Sequence, residues 1–314
     1  MVASYADFLM QKQNQIEPVG FDVGTDNLNP LMMDWQRVIA KWSIRRGRAG
    51  IFLDTGLGKT LQQLVVADAV CKTTNGKFLL LTPLAVAHQT LSEARKFNIE
   101  TPIRIVHSAS EISTGINVVN YEKIHKFDAD DFVGVGLDEG SILKSLDGKT
   151  RNTLIQMFRF TPYRFVFTAT PSPNELTEIG SYAEFLGIMS GSEMKAMYFT
   201  HDGGDTSKWR LRGHAEKEFF KWMATWAVMI RNPADIGYEC NGYDLPEMKI
   251  HEHVIYDEVI PKGHLFQTDA LTLGEQRQSR RVTIADRVAE CAKIVERKKD
   301  VPWIIWCNLN DESA

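Results

Sequence analysis

Ala49-Gly-Ile-Phe-Leu-Asp-Thr-Gly-Leu-Gly-Lys-Thr-Leu-Gln-Gln-Leu64 decides how the chain is read. The apolar run Ala49–Leu53 gives way to two glycines. Then comes Thr60–Val70, where Leu61, Leu64 and Val65 fall at helical spacing. The order is strand, glycine turn, helix. Such a turn lets backbone N–H groups converge at the positive end of the helix, an arrangement that surrounds phosphates. Lys59 is placed to reach the β- and γ-phosphates of a nucleotide and Thr60 to ligate Mg2+, with Thr55, Gly56, Leu57, Gly58 and Leu61 completing the contact set. The strict pattern G-x-x-x-x-G-K-[ST] asks for glycine at position 53, where this chain has Leu53.

Outward from this stretch, further short apolar runs alternate with longer helical patterns: Phe78–Thr82, Ile103–His107, Ile116–Asn120, Val133–Asp138, Arg164–Thr168 and Trp226–Ile230. That alternation predicts an α/β fold whose mainly parallel sheet carries helices on both faces. Gly, Ser, Thr and Asp cluster over Ser190–Lys208, which reads as a surface loop before an aromatic helix, Phe219–Trp226. The stripe Phe219, Phe220, Trp222, Met223 and Trp226 reads as core rather than as a platform for stacked bases. After Pro246 follow an alternating stretch, Lys249–Tyr256, a polar helical segment, and an expected strand, Trp303–Cys307.

Composition narrows the classes. The chain has 314 residues, 36 Lys+Arg against 40 Asp+Glu, and 44% hydrophobic residues, which excludes disordered, collagenous and coiled-coil classes. A net charge of −4 supplies no global basic field, so any nucleic-acid contact must be local. Cys71, Cys240, Cys291 and Cys307 show no C-x-x-C spacing and no leader is evident, which points to a reducing cytoplasm. No apolar run approaches the ~20 residues of a membrane helix, so no membrane partner is expected. His251-x-His253 lacks a third zinc ligand and reads as two surface histidines.

A phosphate cradle needs a further metal-directing carboxylate and a group that orients or deprotonates water. Leu137-Asp-Glu-Gly-Ser141 supplies both at the end of an apolar run, the rim where open α/β sheets place ligands. Asp138 is the metal-side candidate and Glu139 the base.

Gly56-Leu-Gly-Lys-Thr60, Asp138-Glu139 and Thr168-Ala-Thr-Pro-Ser-Pro-Asn174, in that order, resemble the motifs of superfamily-two DNA helicases and translocases, most closely the Swi/Snf-type group. The resemblance implies a RecA-like P-loop lobe. It also implies an adenine-reading role for Gln36, contacts to a DNA strand from Thr82, Pro83, Asn120 and Tyr121, and coupling through Ser141, Thr168 and Thr170. The two threonine hydroxyls either link the carboxylate pair to bound DNA or satisfy backbone groups at a strand end. Met229-Ile-Arg-Asn-Pro-Ala-Asp235, Leu245-Pro246 and Glu178 also fit, and Asp138–Ser145 with Lys149-Thr-Arg151 looks like the bacteriophage branch. Partners implied are DNA, duplex by preference, and phage replication or recombination proteins, for a monomer in the host cytoplasm.

Two departures stand out. Gly140-Ser141 replace the Ala-His that commonly follows the acids, and Trp303–Leu309 resembles the first strand of a second RecA-like lobe that goes no further. The expected division is therefore residues 1–248 for the ATP-binding lobe, 249–300 for a connection, and 301–314 for the opening of a second lobe. An arginine finger from that lobe is worth roughly 10³–10⁵ in rate, about 4–7 kcal/mol, so weak hydrolysis is expected of these residues alone. The cofactors implied are ATP and Mg2+. The reading is of a DNA-dependent ATPase motor lobe; the rivals are a nucleotide-gated DNA or protein adaptor and a small-molecule kinase or non-helicase P-loop ATPase. Arg45-Arg46-x-Arg48 reads as dipole-directed cations at a helix end. Gln276–Lys299, with eight basic and three acidic residues, reads equally as a phosphate track or a solvated face.

Overall fold

The computed structural model describes residues 17–144, 148–172, 174–202, 205–239, 242–243, 247–255 and 272–313. Leu245-Pro246, Cys240 and Ser145 lie outside them. The chain divides into two compact units, Met1–Asp244 and Leu245–Ala314.

The first unit is built on seven parallel strands: β1 (Arg48–Leu53), β2 (Lys77–Thr82), β3 (Ile103–Ile105), β4 (Gly115–Asn120), β5 (Gly134–Asp138), β6 (Tyr163–Thr168) and β9 (Ala227–Ile230). They lie in the order β3-β4-β2-β5-β6-β1-β9. All seven apolar runs are strands, within two residues of their expected limits. The inner strands are apolar along most of their length because both faces of the sheet are covered there. Neighbouring residues then go to opposite cores with the period of two that a strand imposes. Phe52, Leu79, Leu81, Leu137 and Val166 pack into one cluster. Ile51, Leu53, Phe78, Leu80, Phe165 and Phe167 pack into the other.

Helices α1 (Asp34–Arg46) and α2 (Lys59–Thr74) cover the second cluster, with α3 (Ala87–Lys96) beside them. On the opposite face lie α4 (Lys149–Met157), α5 (Ile179–Leu186), α6 (Gly191–Tyr198) and α7 (Glu216–Ala224). Phe219, Trp222, Met223 and Trp226 are buried as the core reading expects, and Phe220 alone of that stripe is exposed. Helix α1 ends at Gly47 in the left-handed region; in its last turn Arg45 faces Asp22 at 3.6 Å and Arg46 lies over Trp42.

The expected loop over Ser190–Lys208 is corrected. Ser190 and Glu193 form a capping box that starts α6, and an antiparallel hairpin follows, β7 (Phe199–Asp202) with β8 (Asp205–Leu211). In the second unit, α8 (Leu273–Val282) and α9 (Ile284–Arg297) account for the polar helical segment. Trp303–Cys307 is a further correction. It forms no ladder among the described residues, and Trp303 donates its indole N–H to the Lys298 carbonyl at 3.1 Å. Residues 249–255 likewise pair with no strand there. A strand needs a neighbour for its N–H and C=O groups, and apolar alternation alone does not provide one. His251 and His253 are exposed, as expected of surface histidines.

Candidate nucleotide site

Parallel strands bring their carboxyl ends to one edge, and the register fixes what meets there. Phe52 pairs with Thr168, Phe167 with Asp138, Leu81 with Leu137, and Thr82 with Asn120. The turn after β1, the threonines after β6 and the acids after β5 are therefore level, one strand spacing apart, with β6 in the middle.

The turn is shaped by two glycines in the left-handed region, Gly56 at φ +82° and Gly58 at φ +77°. At Gly58 a Cβ would also come within 2.6 Å of the Gln36 amide nitrogen. Leu53, which occupies the position of the missing glycine, is still strand: it is fully buried and pairs with Ile230. The turn starts one residue later and asks nothing special of position 53. Leu57 and Leu61 are buried and anchor the turn, while Asp54 accepts the Thr55 N–H at 2.6 Å.

Lys59 donates to the carbonyls of Leu53 and Asp54 at 3.0 and 3.2 Å. Burial lowers its pKa, and the charges of Glu139, Asp138 and Asp54 push the other way, so the ammonium shares one electrostatic site with both acids. Gln36 is buried. Its amide oxygen accepts from Met33 N–H at 3.0 Å and its amide nitrogen donates to Leu57 C=O at 3.1 Å. It thereby ties the first turn of α1 to the phosphate turn.

Burial raises the Asp138 pKa and outweighs a hydrogen bond from Gln63, whose Nε2 donates to Oδ1 at 2.5 Å. Tyr121 donates its hydroxyl to the Asp138 backbone carbonyl at 2.7 Å. Glu139 sits at φ +52°, an uncommon conformation for a residue with a Cβ. Its Oε1 accepts from Ser141 and from Thr168, each at 3.0 Å, and the Thr168 oxygen in turn accepts the Thr170 N–H at 3.1 Å. Thr168 satisfies a backbone group at the strand end, as one of the two readings of the threonine motif has it, and its hydroxyl also bonds the Glu139 carboxylate. The glycine in Asp-Glu-Gly-Ser has a steric reason, because a Cβ at Gly140 would overlap Val166 Cγ1 on β6. Farther on, Asn174 donates to Glu178 at 3.0 Å, and Asp235 accepts the Arg231 N–H at 2.8 Å.

Three of the four side chains expected at DNA are buried. Thr82 is fully buried. Asn120 is also buried, and its Oδ1 accepts from Lys123 N–H at 3.2 Å to start the turn Tyr121–Lys126. Tyr121 is buried against Asp138. Pro83 is half-buried. Three of the four build the edge from within. The exposed groups of these two turns are Leu84, Ala85, Glu122, His125 and Lys126. Gln63 is the site residue that sequence reading missed; the available signal was its position one helical turn after Thr60.

A strand–glycine-turn–helix with lysine and threonine at the helix start, faced by an acid pair two strands away, defines a P-loop NTPase lobe of RecA-like fold. The chain belongs to the SNF2-related domain family, which residues 7–201 match. Solved structures that share the fold include two from Sulfolobus solfataricus. The SWI2/SNF2 ATPase core domain of Sulfolobus solfataricus is 21% identical, with a TM-score of 0.54, over 70% of this chain and 49% of that one. The Sulfolobus solfataricus SWI2/SNF2 ATPase core in complex with dsDNA is 20% identical, with a TM-score of 0.53, over 67% of this chain and 46% of that one. This chain thus spans about half the length of either. No curated protein sequence matches it. No helix among the described residues is long and apolar enough to cross a membrane.

Proposed function

We propose that the chain is the ATP-binding lobe of a DNA-dependent Swi/Snf-type motor of the bacteriophage branch, in which MgATP hydrolysis drives movement on duplex DNA. The observation that carries this reading is the common edge of β1, β6 and β5, where Lys59, Thr168 and the Asp138-Glu139 pair are coupled by hydrogen bonds and charge. Residues 1–248 are assigned to this lobe and 249–300 to the connection. Residues 301–314 are assigned to the opening of a second lobe, since Ile304 and Trp306 stand 81% and 91% exposed.

Thr55–Leu61 would wrap the phosphates with N–H groups and Lys59 would exchange its two carbonyl partners for phosphate oxygens. Thr60 and Asp138 offer the hard oxygen donors that suit Mg2+, which when bound neutralises charge on the β- and γ-phosphates. Glu139 takes the proton of the attacking water. Both hydroxyl bonds fall on its Oε1, which leaves Oε2 for that proton. A change at Glu139 during turnover reaches the threonine motif through the Thr168 hydroxyl, without the imidazole that Ser141 replaces. Gln36 would have to release Met33 or Leu57 to read adenine. For DNA, the reading now rests on the turns after β2 and β4, where Lys126 is exposed, rather than on Thr82 and Asn120.

The test is nucleotide affinity and DNA-stimulated ATPase of the chain beside Lys59→Ala. Loss of binding in the variant and stimulation of the wild type by duplex DNA are expected. Unchanged nucleotide affinity in Lys59→Ala would overturn the assignment, and tight binding with no DNA response would overturn the motor.

A further inference from the structure

Asp138 is held through its backbone by strand register and by Tyr121, and its carboxylate is met by the Glu139 N–H and by Gln63. Its strand register against Phe167 fixes one side of the residue and the Tyr121 hydroxyl fixes its carbonyl. Only one described side chain bonds its carboxylate: Gln63, from α2. Gln63 lies three residues after Thr60, on the neighbouring part of the same helical face, and is 1% exposed. Its Nε2 sits 2.5 Å from Asp138 Oδ1, and its amide oxygen is fully buried with no hydrogen-bond partner. A glutamine whose only role was to fill the helix–sheet interface would be disfavoured there, because native interiors seldom keep an amide oxygen without a partner. Leucine or methionine would fill the same space at no such cost.

We propose that Gln63 is a positioning residue for the metal side of the site: it locks the Asp138 carboxylate in one rotamer, so that Oδ2 is the oxygen presented to the ion or its water. The inference rests on the nucleotide-site reading above. A carboxylate free to rotate would hold the same charge at the sheet edge but spend less time in the orientation an octahedral ion demands. The bond therefore acts on the ion's affinity and not on that of the nucleotide alone.

The experiment is a fluorescent-ATP titration in EDTA and across a Mg2+ series, on the full chain, for wild type, Gln63→Met, Gln63→Asn, Asp138→Asn, Lys59→Ala and the double variant Gln63→Met/Asp138→Asn. Methionine keeps the length and packing and removes the donor. Asparagine keeps the amide but withdraws it by one methylene, and covers the case in which methionine disturbs the core. Thermal unfolding without nucleotide reports whether each is folded. Gln63→Met is expected to bind ATP in EDTA within about twofold of wild type, with its Mg2+ half-saturation raised about tenfold or more, as losing the partner of a metal-binding carboxylate does elsewhere. Added to Asp138→Asn it should produce no further shift. An unchanged Mg2+ response in a folded Gln63→Met, an equal loss with and without Mg2+, or a full further shift in the double variant would each overturn the inference. If Lys59→Ala binds as wild type does, the site reading falls and takes this inference with it. If Lys59→Ala loses binding while Gln63→Met keeps its Mg2+ response, this inference alone falls.

Discussion

Gly140 shows how much one missing methyl group carries. The turn that presents Glu139 is pressed onto β6, and a Cβ at residue 140 would lie inside the van der Waals envelope of Val166, a fully buried side chain with little rotamer freedom. Gly140→Ala is expected to cost about 1–3 kcal/mol, as overpacking of a filled core does. Val166→Ala in the same chain should recover part of that loss, so the double variant falls short of the sum of the singles in denaturant midpoints. An additive result would mean that the turn shifts freely and that Gly140 is not held by Val166. At the same scale, burial pushes the Cys71 thiol up to about 12, so its thiolate fraction at pH 8 is of order 10⁻⁴. Thiol labelling at pH 8 with peptide mapping should modify exposed Cys307 and leave Cys71 unmodified until denaturant is added. Labelling of Cys71 in the native protein would show that helix α2 opens readily.

Among the elements, what sequence made legible follows from which forces act locally. The inner strands were readable because both faces of the sheet are buried there, and each is a nearly unbroken apolar run between turns; the edge strands β3 and β9 are only partly buried. The hairpin β7–β8 was not, because Thr200, His201, Asp205, Thr206 and Ser207 carry no apolar period and composition alone reads as loop. The signals present were the Ser190/Glu193 capping box and the pair Gly203-Gly204 between two short runs. At the site, the phosphate turn and acid pair were legible because their chemistry is contiguous in sequence. Gln63 and the Tyr121 hydroxyl were not, since each acts on Asp138 only after the strands are ordered. Neighbouring aromatics on α7 offer a sharp test of the core reading. Trp222→Ala should cost about 3–5 kcal/mol and Phe220→Ala no more than about 1, because the first is 1% exposed and the second 41%. Equal losses in chemical denaturation would place the stripe differently from the way α7 packs here.

On the scale of the molecule, the two units differ in what supports them. The first holds both apolar clusters and the whole nucleotide site. Among its described residues the second has two amphipathic helices and a segment whose Val301, Ile304, Ile305 and Trp306 are largely exposed, so far less apolar burial stands behind them. Between β9 and α8, residues 247–255 carry no regular structure among the described residues, and Met248, Ile250 and Val254 are 79%, 73% and 63% exposed. Segments of this kind are the first to fit a protease groove, because cleavage there requires no unfolding of a core. Limited digestion is therefore expected to cut within 247–255 before any site in the sheet, and to leave a fragment ending near residue 247. That fragment contains Lys59, Asp138, Glu139 and Thr168, so it should retain the nucleotide affinity of the intact chain and be protected further by MgATP, since a ligand that binds only the folded form stabilises it by mass action. First cuts inside β1–β6, or a fragment that no longer binds nucleotide, would show that the second unit is needed to hold the site together.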